Sequence, residues 1–255
     1  MGEFNEIYKT LCEELLDADI VGETREICGA TFTLHDINSV CSTVRNPSLK
    51  YACAELIWYL SGSKSMHFIS QFASLWKDIS DDGITSNSGY GYLVHKEYGF
   101  DQMEKIVELL RTDPDSRRAI IHLKAPNPKV IETKDEPCTI ALQFLIRDGA
   151  LDCIAMMRSN DIWTGLPYDV IYFTTLQKII ADALGVDYGV YVHFAGSMHM
   201  YLKDEDKVAD RLSKNRVYDF RIDHAKLQSY AGPLYYLVTP DNILDLCRNT
   251  GVLVD

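Results

Sequence analysis

Cys138 follows Pro137 at the head of the apolar run TIALQFLI, which places a thiol at the start of a strand-like segment. A lone cysteine in such a place is most often a small buried hydrophobe. It becomes a nucleophile where positive charge favours the thiolate, and Arg158 and the pair Arg117-Arg118 are the candidate sources. The Asp-Ser-Arg-Arg sequence itself is either a solvated charged turn or a phosphate clamp, because guanidinium forks match phosphate oxygens in bidentate fashion. Glu55 stands among Leu56, Ile57 and Trp58. A carboxylate so flanked is not an ordinary surface residue. Asp169 lies just inside a strongly apolar helical segment, where a carboxyl group is costly unless capped or paired. Asp161 is open to a turn or capping role. His199 and Tyr201 fall on one face if their segment is extended, which suits a shared ligand, although a lone histidine is usually structural.

The elements that must position these groups follow from periodicity. Residues 3–17 read as a helix with Leu11, Leu15 and Leu16 on one side, 26–34 as a strand, 49–60 as the apolar helix that carries Glu55, and 66–79 as a further helix. A Gly/Ser/Asn loop covers 81–92, the kind of segment that carries binding groups. Residues 100–111 have helical spacing and stop at Asp113-Pro114-Asp115. Strands are expected over 118–124, 139–147 and 151–157, the last two joined by an Asp148-Gly149 turn. Residues 166–184 read as a long helix, apolar on nearly all sides and therefore buried. Residues 188–194 read as a strand running into Gly196-Ser197-Met198-His199. Beyond Asp223, Pro, Gly and aromatics mix without fixing an element. The chain has no repeat, low-complexity run or linker, and the order of elements implies one α+β or mixed α/β domain over 1–255.

A chain of 255 residues with 47% hydrophobic content is long enough for a full core. Its net charge of −12 argues against binding to a nucleic acid polymer. A phosphorylated small molecule needs only a few local arginines. The seven cysteines are scattered, with no CxxC pair and no metal-type His/Cys spacing, so the expectation is no metal, reduced thiols and a cytoplasmic setting. The opening MGEFNEIYKTLCEELL is amphipathic and charged, unlike a signal peptide. No stretch has the apolar length of a membrane span.

The run EPCTIALQFLIRDGALDCIAMMRSNDIWTGLPYDVIY over 136–172, with AELIWYLSG around Glu55, SGYGY around Tyr90 and GSMHMY around His199, resembles the thymidylate synthase family. The resemblance runs over roughly residues 26–207, in order and at matching spacing. It implies a single domain built on a mixed β-sheet flanked by helices. It also implies Cys138 as the nucleophile and Arg158 as the phosphate ligand within the same subunit, with Ser159 supporting that network. Arg117 and Arg118 would reach the partner's phosphate site across a homodimer. Glu55 would order water and move protons at the base and the folate, and Tyr90 would stand near the reacting carbon. Trp76 and Asp161 would contact the folate, and His199 and Tyr201 the sugar 3′-hydroxyl. Gln143 matches a strand residue on the substrate side, although sheet packing explains it equally well. The implied co-substrate is 5,10-methylenetetrahydrofolate, and the implied substrate a nucleoside monophosphate.

Departures from the family pattern cluster around the chemistry. Asp169 stands where members acting on uracil carry Asn, Thr139 where they carry His, Met157 where Gln often precedes the Arg-Ser pair, and Ser197 where Asp precedes the His-x-Tyr. Arg25 is the nearest stand-in for the arginine of the N-terminal phosphate loop, and RNTGVLVD does not match the tail that closes over folate. A carboxyl group can exchange hydrogen bonds with N3 and the amine of cytosine, and when protonated it donates to N3. The pattern is therefore most similar to that of the family's deoxycytidylate hydroxymethylases. That similarity implies addition of the Cys138 thiolate to C6, attack of C5 on the folate methylene, and water addition to give a 5-hydroxymethyl product on dCMP. Three alternatives stay open: a dCMP or dUMP methylase that releases dihydrofolate, a CMP hydroxymethylase, and a catalytically inert nucleotide- or folate-binding partner.

Overall fold

A computed structural model of the chain describes residues 2–41, 43–214, 216 and 220–254. Helix α1 (Glu3–Asp17) turns Phe4, Tyr8, Leu11, Cys12 and Leu15 inward. It packs on strand β2 (Thr24–Leu34), with which β1 (Ile20–Val21) forms a short antiparallel pair. Helix α2 (Leu49–Leu60) is buried from Ala52 to Tyr59 and starts at Ser48, whose hydroxyl accepts from the Tyr51 N–H. The single helix expected over 66–79 is two: α3 (Met66–Ile69) and α4 (Leu75–Ile79). The break falls between Ser70 and Ser74, and serine side chains favour helix ends over helix interiors. Helix α5 (Tyr90–His95) begins inside the expected loop, and α6 (Gln102–Thr112) is capped by Asp101, which accepts from Glu104 N–H.

The strands expected from alternation follow. β3 (Ile120–His122) is shorter than the run that suggested it, while β4 (Thr139–Arg147) and β5 (Ala150–Met157) form a hairpin. Asp148 and Gly149 turn that hairpin at φ 50° and 81°, the left-handed conformation a tight two-residue connection requires. After β6 (Asn160–Asp161), helix α7 (Leu166–Leu184) carries the chain over to β7 (Asp187–Tyr201). β7 extends well past the expected 188–194 because β2 pairs along it from Tyr191 to Tyr201. Helix α8 (Glu205–Lys214) follows. The segment that composition left unassigned folds as β8 (Arg221–Ile222), α9 (His224–Leu237), α10 (Ile243–Asn249) and β9 (Leu253–Val254). α9 escapes a pattern search because it buries only Leu227, Ala231 and Leu234 and contains Pro233.

The main sheet has the order β1-β2-β7-β5-β4-β3, with β6 beside β7. β5 and β7 run parallel and the other neighbours along that order antiparallel. α7 covers one face, where Leu151, Cys153, Ala155, Tyr191 and Ala195 are fully buried. Gln177 at its centre donates to the carbonyls of Leu151, Gly189 and Val190, at 2.8, 3.2 and 3.1 Å. On the other face Gln143, Ile154 and Val192 lie side by side in register and remain partly open. α2 packs against α5, α7, α9 and α10. The architecture is the mixed α/β arrangement of sheet and flanking helices that the order of elements implies.

The contact of α2 with α5 depends on Gly91, where an added Cβ would lie 1.7 Å from the Tyr59 carbonyl oxygen. Gly91→Ala is expected to lower stability by about 2–3 kcal/mol, seen as a lower urea midpoint at unchanged slope. Gly89→Ala, whose Cβ would meet the Trp58 ring at 3.4 Å, should cost much less.

Candidate active site

Glu55 is fixed by residues one helical turn away on each side. Tyr51 donates to its Oε1 at 2.6 Å and Tyr59 to the same oxygen at 3.4 Å. The Trp76 indole N–H in turn donates to the Tyr51 hydroxyl oxygen at 3.1 Å. Burial pushes the Glu55 carboxyl up to about 8; Tyr51 pulls against that rise, and the charge of Asp169 adds to it.

Asp169 sits in the first turn of α7, its N–H bonded to the Gly165 carbonyl at 3.0 Å. Asn160 donates from Nδ2 to Asp169 Oδ2 at 2.8 Å. Gly165 permits this approach, since a Cβ there would lie 3.0 Å from Asn160 Nδ2 and 3.1 Å from Asp169 Oδ2. Burial raises the Asp169 carboxyl to about 7; the Asn160 bond holds it down, and Asp161 pushes it further up. Asn160 Oδ1 is buried and has no hydrogen-bond partner among the described residues.

Cys138 lies half-buried just before β4, where a register shift between Thr139 and Ala141 bends the strand. The Arg158 backbone N–H donates to the Cys138 carbonyl at 2.8 Å. Its guanidinium is held by the carbonyls of Pro137 and Glu136 at 3.1 and 2.8 Å, and Nη2 stands 3.5 Å from Cys138 Sγ. β7 passes close behind: a Cβ on Gly196 would lie 3.0 Å from the Arg158 carbonyl oxygen. The expected positive charge therefore does reach the thiol. Burial nevertheless raises the thiol, with Arg158 opposing and Asp169 adding to the rise, so the resting residue is a protonated thiol. Thr139 donates to the Tyr90 hydroxyl at 2.9 Å, and the Tyr90 ring stacks on Tyr59.

A line of contacts thus runs from Trp76 through Tyr51 to Glu55, and charge coupling continues it through Asp169 and Cys138 to Arg158. At its edge Ser159 Oγ lies 3.4 Å from His199 Nδ1, and Tyr201 meets the His199 ring edge-on. Asp161 serves the turn that leads into α7: its carboxylate accepts from the Trp163 N–H at 2.9 Å and from the Thr164 hydroxyl. The same turn is braced by Arg45, which donates to the Trp163 carbonyl at 2.5 Å and lies over the rings of Trp163 and Tyr168.

Other candidates stand apart. Arg117 and Arg118 are exposed before β3, and Arg118 bonds Asp113 at 3.0 Å and Ser116 at 3.3 Å. Gln143 lies on the open face of the sheet and donates to the Arg117 carbonyl at 2.9 Å, so it steadies the arginine loop. Arg25 is committed to Glu205 and to the Ala18 carbonyl, at 2.9 and 2.8 Å. Three residues that the motifs did not single out complete the site: Tyr51, Tyr59 and Asn160. The tyrosines were detectable as partners one turn from Glu55 on the same helix. Nothing in the run RSND marks its Asn as the partner of Asp169.

The thymidylate synthase family model matches residues 7–231, and the chain belongs to that family. Among curated proteins it is similar to the deoxyuridylate hydroxymethyltransferase of Pseudomonas phage M6, at 30% identity over 158 residues. It is also similar to the protein of the same description from Bacillus phage SP01, at 31% over 173 residues. Those matches cover 61% and 63% of this chain and 45% of each relative, so the chain matches about half the length of either.

The raised carboxyls give a stability prediction. Asp169 and Glu55 ionise more readily in the unfolded chain than in the fold, so the unfolded state holds fewer protons between their ordinary values and about 7 and 8. Stability should therefore fall as pH rises from 4.5 to 8 and level off above that. The Asp169→Asn/Glu55→Gln double variant should lose this slope in urea denaturation measured against pH.

Proposed function

We propose that the chain transfers a one-carbon unit from 5,10-methylenetetrahydrofolate to C5 of a cytosine nucleotide, dCMP in preference to CMP, and yields the 5-hydroxymethyl product. The observation that carries the choice of base is the bond from Asn160 to Asp169 Oδ2. With Oδ2 accepting, the proton of the neutral acid belongs on Oδ1. An O–H there meets the N3 lone pair of cytosine and opposes the N3–H of uracil. Arg158 would bind the 5′-phosphate, and His199 and Tyr201 the sugar. The Cys138 thiol would lose its proton as the nucleotide binds, and its sulfur would add to C6. Glu55 would handle the proton at C5, with Trp76 against the folate. The half-open sheet face, with Ile140 41% and Phe194 39% exposed, supports a homodimer in which Arg117 and Arg118 serve the neighbour's phosphate.

A second reading, hydroxymethylation of dUMP, is favoured by the likeness to the two phage deoxyuridylate hydroxymethyltransferases. It requires Asp169 ionised, so that Oδ1 accepts from uracil N3–H. Because the carboxyl titrates near 7, pH separates the two. Turnover of dCMP should fall as pH rises through 7, whereas turnover of dUMP should grow.

The test is incubation of the protein with methylenetetrahydrofolate and, separately, dCMP, CMP and dUMP, with products resolved by mass. A gain of CH2O on dCMP with release of tetrahydrofolate is expected. A gain of CH2 with dihydrofolate would make the protein a methylase, and product from dUMP alone would overturn the cytosine reading. Asp169→Asn should shift the dCMP/dUMP preference by roughly 10²-fold towards dUMP. Cys138→Ser should abolish turnover with every nucleotide.

A further inference from the structure

The Glu55 carboxyl is reached by a one-way series of donors. An indole N–H can only donate, so the contact from Trp76 Nε1 makes the Tyr51 oxygen an acceptor at that end. The Tyr51 proton is thereby directed along its other contact, 2.6 Å to Glu55 Oε1. Tyr59 adds a longer donor contact to the same oxygen. Among the described residues Oε2 has no hydrogen-bond partner, and Glu55 keeps 8% of its surface exposed. A neutral carboxyl has one carbonyl and one hydroxyl oxygen. Donors converging on Oε1 make it the carbonyl.

From this geometry we propose that Tyr51, oriented by Trp76, is a positioning residue that fixes Oε2 as the proton-bearing oxygen through which Glu55 exchanges protons with the bound base. The proposal deepens the reading of the site as a pyrimidine C5 one-carbon transferase and rests on it. The proton balance closes within one turnover. Oε2 gives its proton to a heteroatom of the bound base, and the carboxylate so formed takes the proton that leaves C5 once the new carbon–carbon bond exists; the heteroatom sheds its proton as its double bond to the ring re-forms, and that proton leaves on the departing tetrahydrofolate nitrogen. Glu55 ends as it began.

The titratable groups around Glu55 are Tyr51 and Tyr59 on α2, Tyr168, Asp169 and Tyr172 on α7, Tyr90 on α5, and beyond Asp169 the Cys138 thiol. Burial raises every one of these phenols above its ordinary value, so they remain neutral donors while the two carboxyls titrate. α10 meets α2 at a pair of thiols, Cys247 and Cys53. Glu55 being held protonated to about 8 agrees with an acid role at neutral pH.

The experiment is infrared difference spectroscopy of the full chain, wild type minus Glu55→Gln, without substrate. A protonated-carboxyl band is expected at pH 7 that disappears as pH passes about 8. In Tyr51→Phe the band should move to higher frequency, because its carbonyl loses a donor, and its titration midpoint should rise by about one unit. Tyr59→Phe should move both less. Uniform replacement of tyrosine by 3-fluorotyrosine, a stronger donor, should lower the band frequency in an otherwise native protein and covers the case in which Tyr51→Phe does not fold. In turnover, Tyr51→Phe should lower kcat with the KM for nucleotide within twofold. Absence of a Glu55-dependent band at pH 7, or a band unmoved by both tyrosine replacements, would overturn the proposal. Both spectra are substrate-free, so they stand or fall separately from the product assay.

Discussion

Two carboxyl groups, Glu55 and Asp169, share one largely apolar enclosure, and most of the surrounding structure answers to the cost of keeping them there. Removal of a carboxylate from water is expensive unless it is neutralised or bonded. Here both responses are present: each group is shifted towards its neutral form, and among the described residues each has hydrogen-bond donors at one oxygen only. Two tyrosines serve Glu55 and one asparagine serves Asp169, which leaves a second oxygen of each acid for a ligand.

The thiol is tied to the same electrostatic balance. Arg158 approaches Cys138 closely enough to favour the thiolate, yet burial and the charge of Asp169 together prevail in the empty protein. Protonation of Asp169 removes one of those opposing influences. The state of the carboxyl that would read the base therefore bears on the readiness of the sulfur that would attack it. A site with this coupling is sensitive to protonation, since a change of charge at Asp169 alters the balance at the thiol.

The scaffold serves these contacts through close backbone approaches. Gly91 brings α5 onto α2, Gly165 admits Asn160 to Asp169, and Gly196 lets β7 pass behind Arg158. Arg45, lying over Trp163 and Tyr168, and Tyr8, bonded to the Ile162 carbonyl at 3.0 Å, hold the turn between β6 and α7. The bend at the start of β4 separates the thiol from the regular ladder, as strand irregularities beside functional groups commonly do.

Much of this was present in the sequence by itself. Apolar periodicity marked α1, α2 and α7 and the β4–β5 hairpin, because each buries a wide face and so must repeat its apolar residues at a fixed interval. Resemblance to the family's motifs singled out Cys138, Arg158, Glu55 and Asp169, because the short runs around them recur in order and at matching spacing. Only the tertiary structure decided that Tyr51 and Trp76 form a directed path to Glu55, that Asn160 holds Asp169, and that Gln143 lies on the open sheet face. It also decided that 66–79 breaks into two helices and that the chain beyond Asp223 forms α9, α10 and the short β9. The physical reason is the same in each case. A hydrogen bond between residues from distant segments, or a helix that buries a narrow face, leaves no periodic trace along the chain and is set by packing alone.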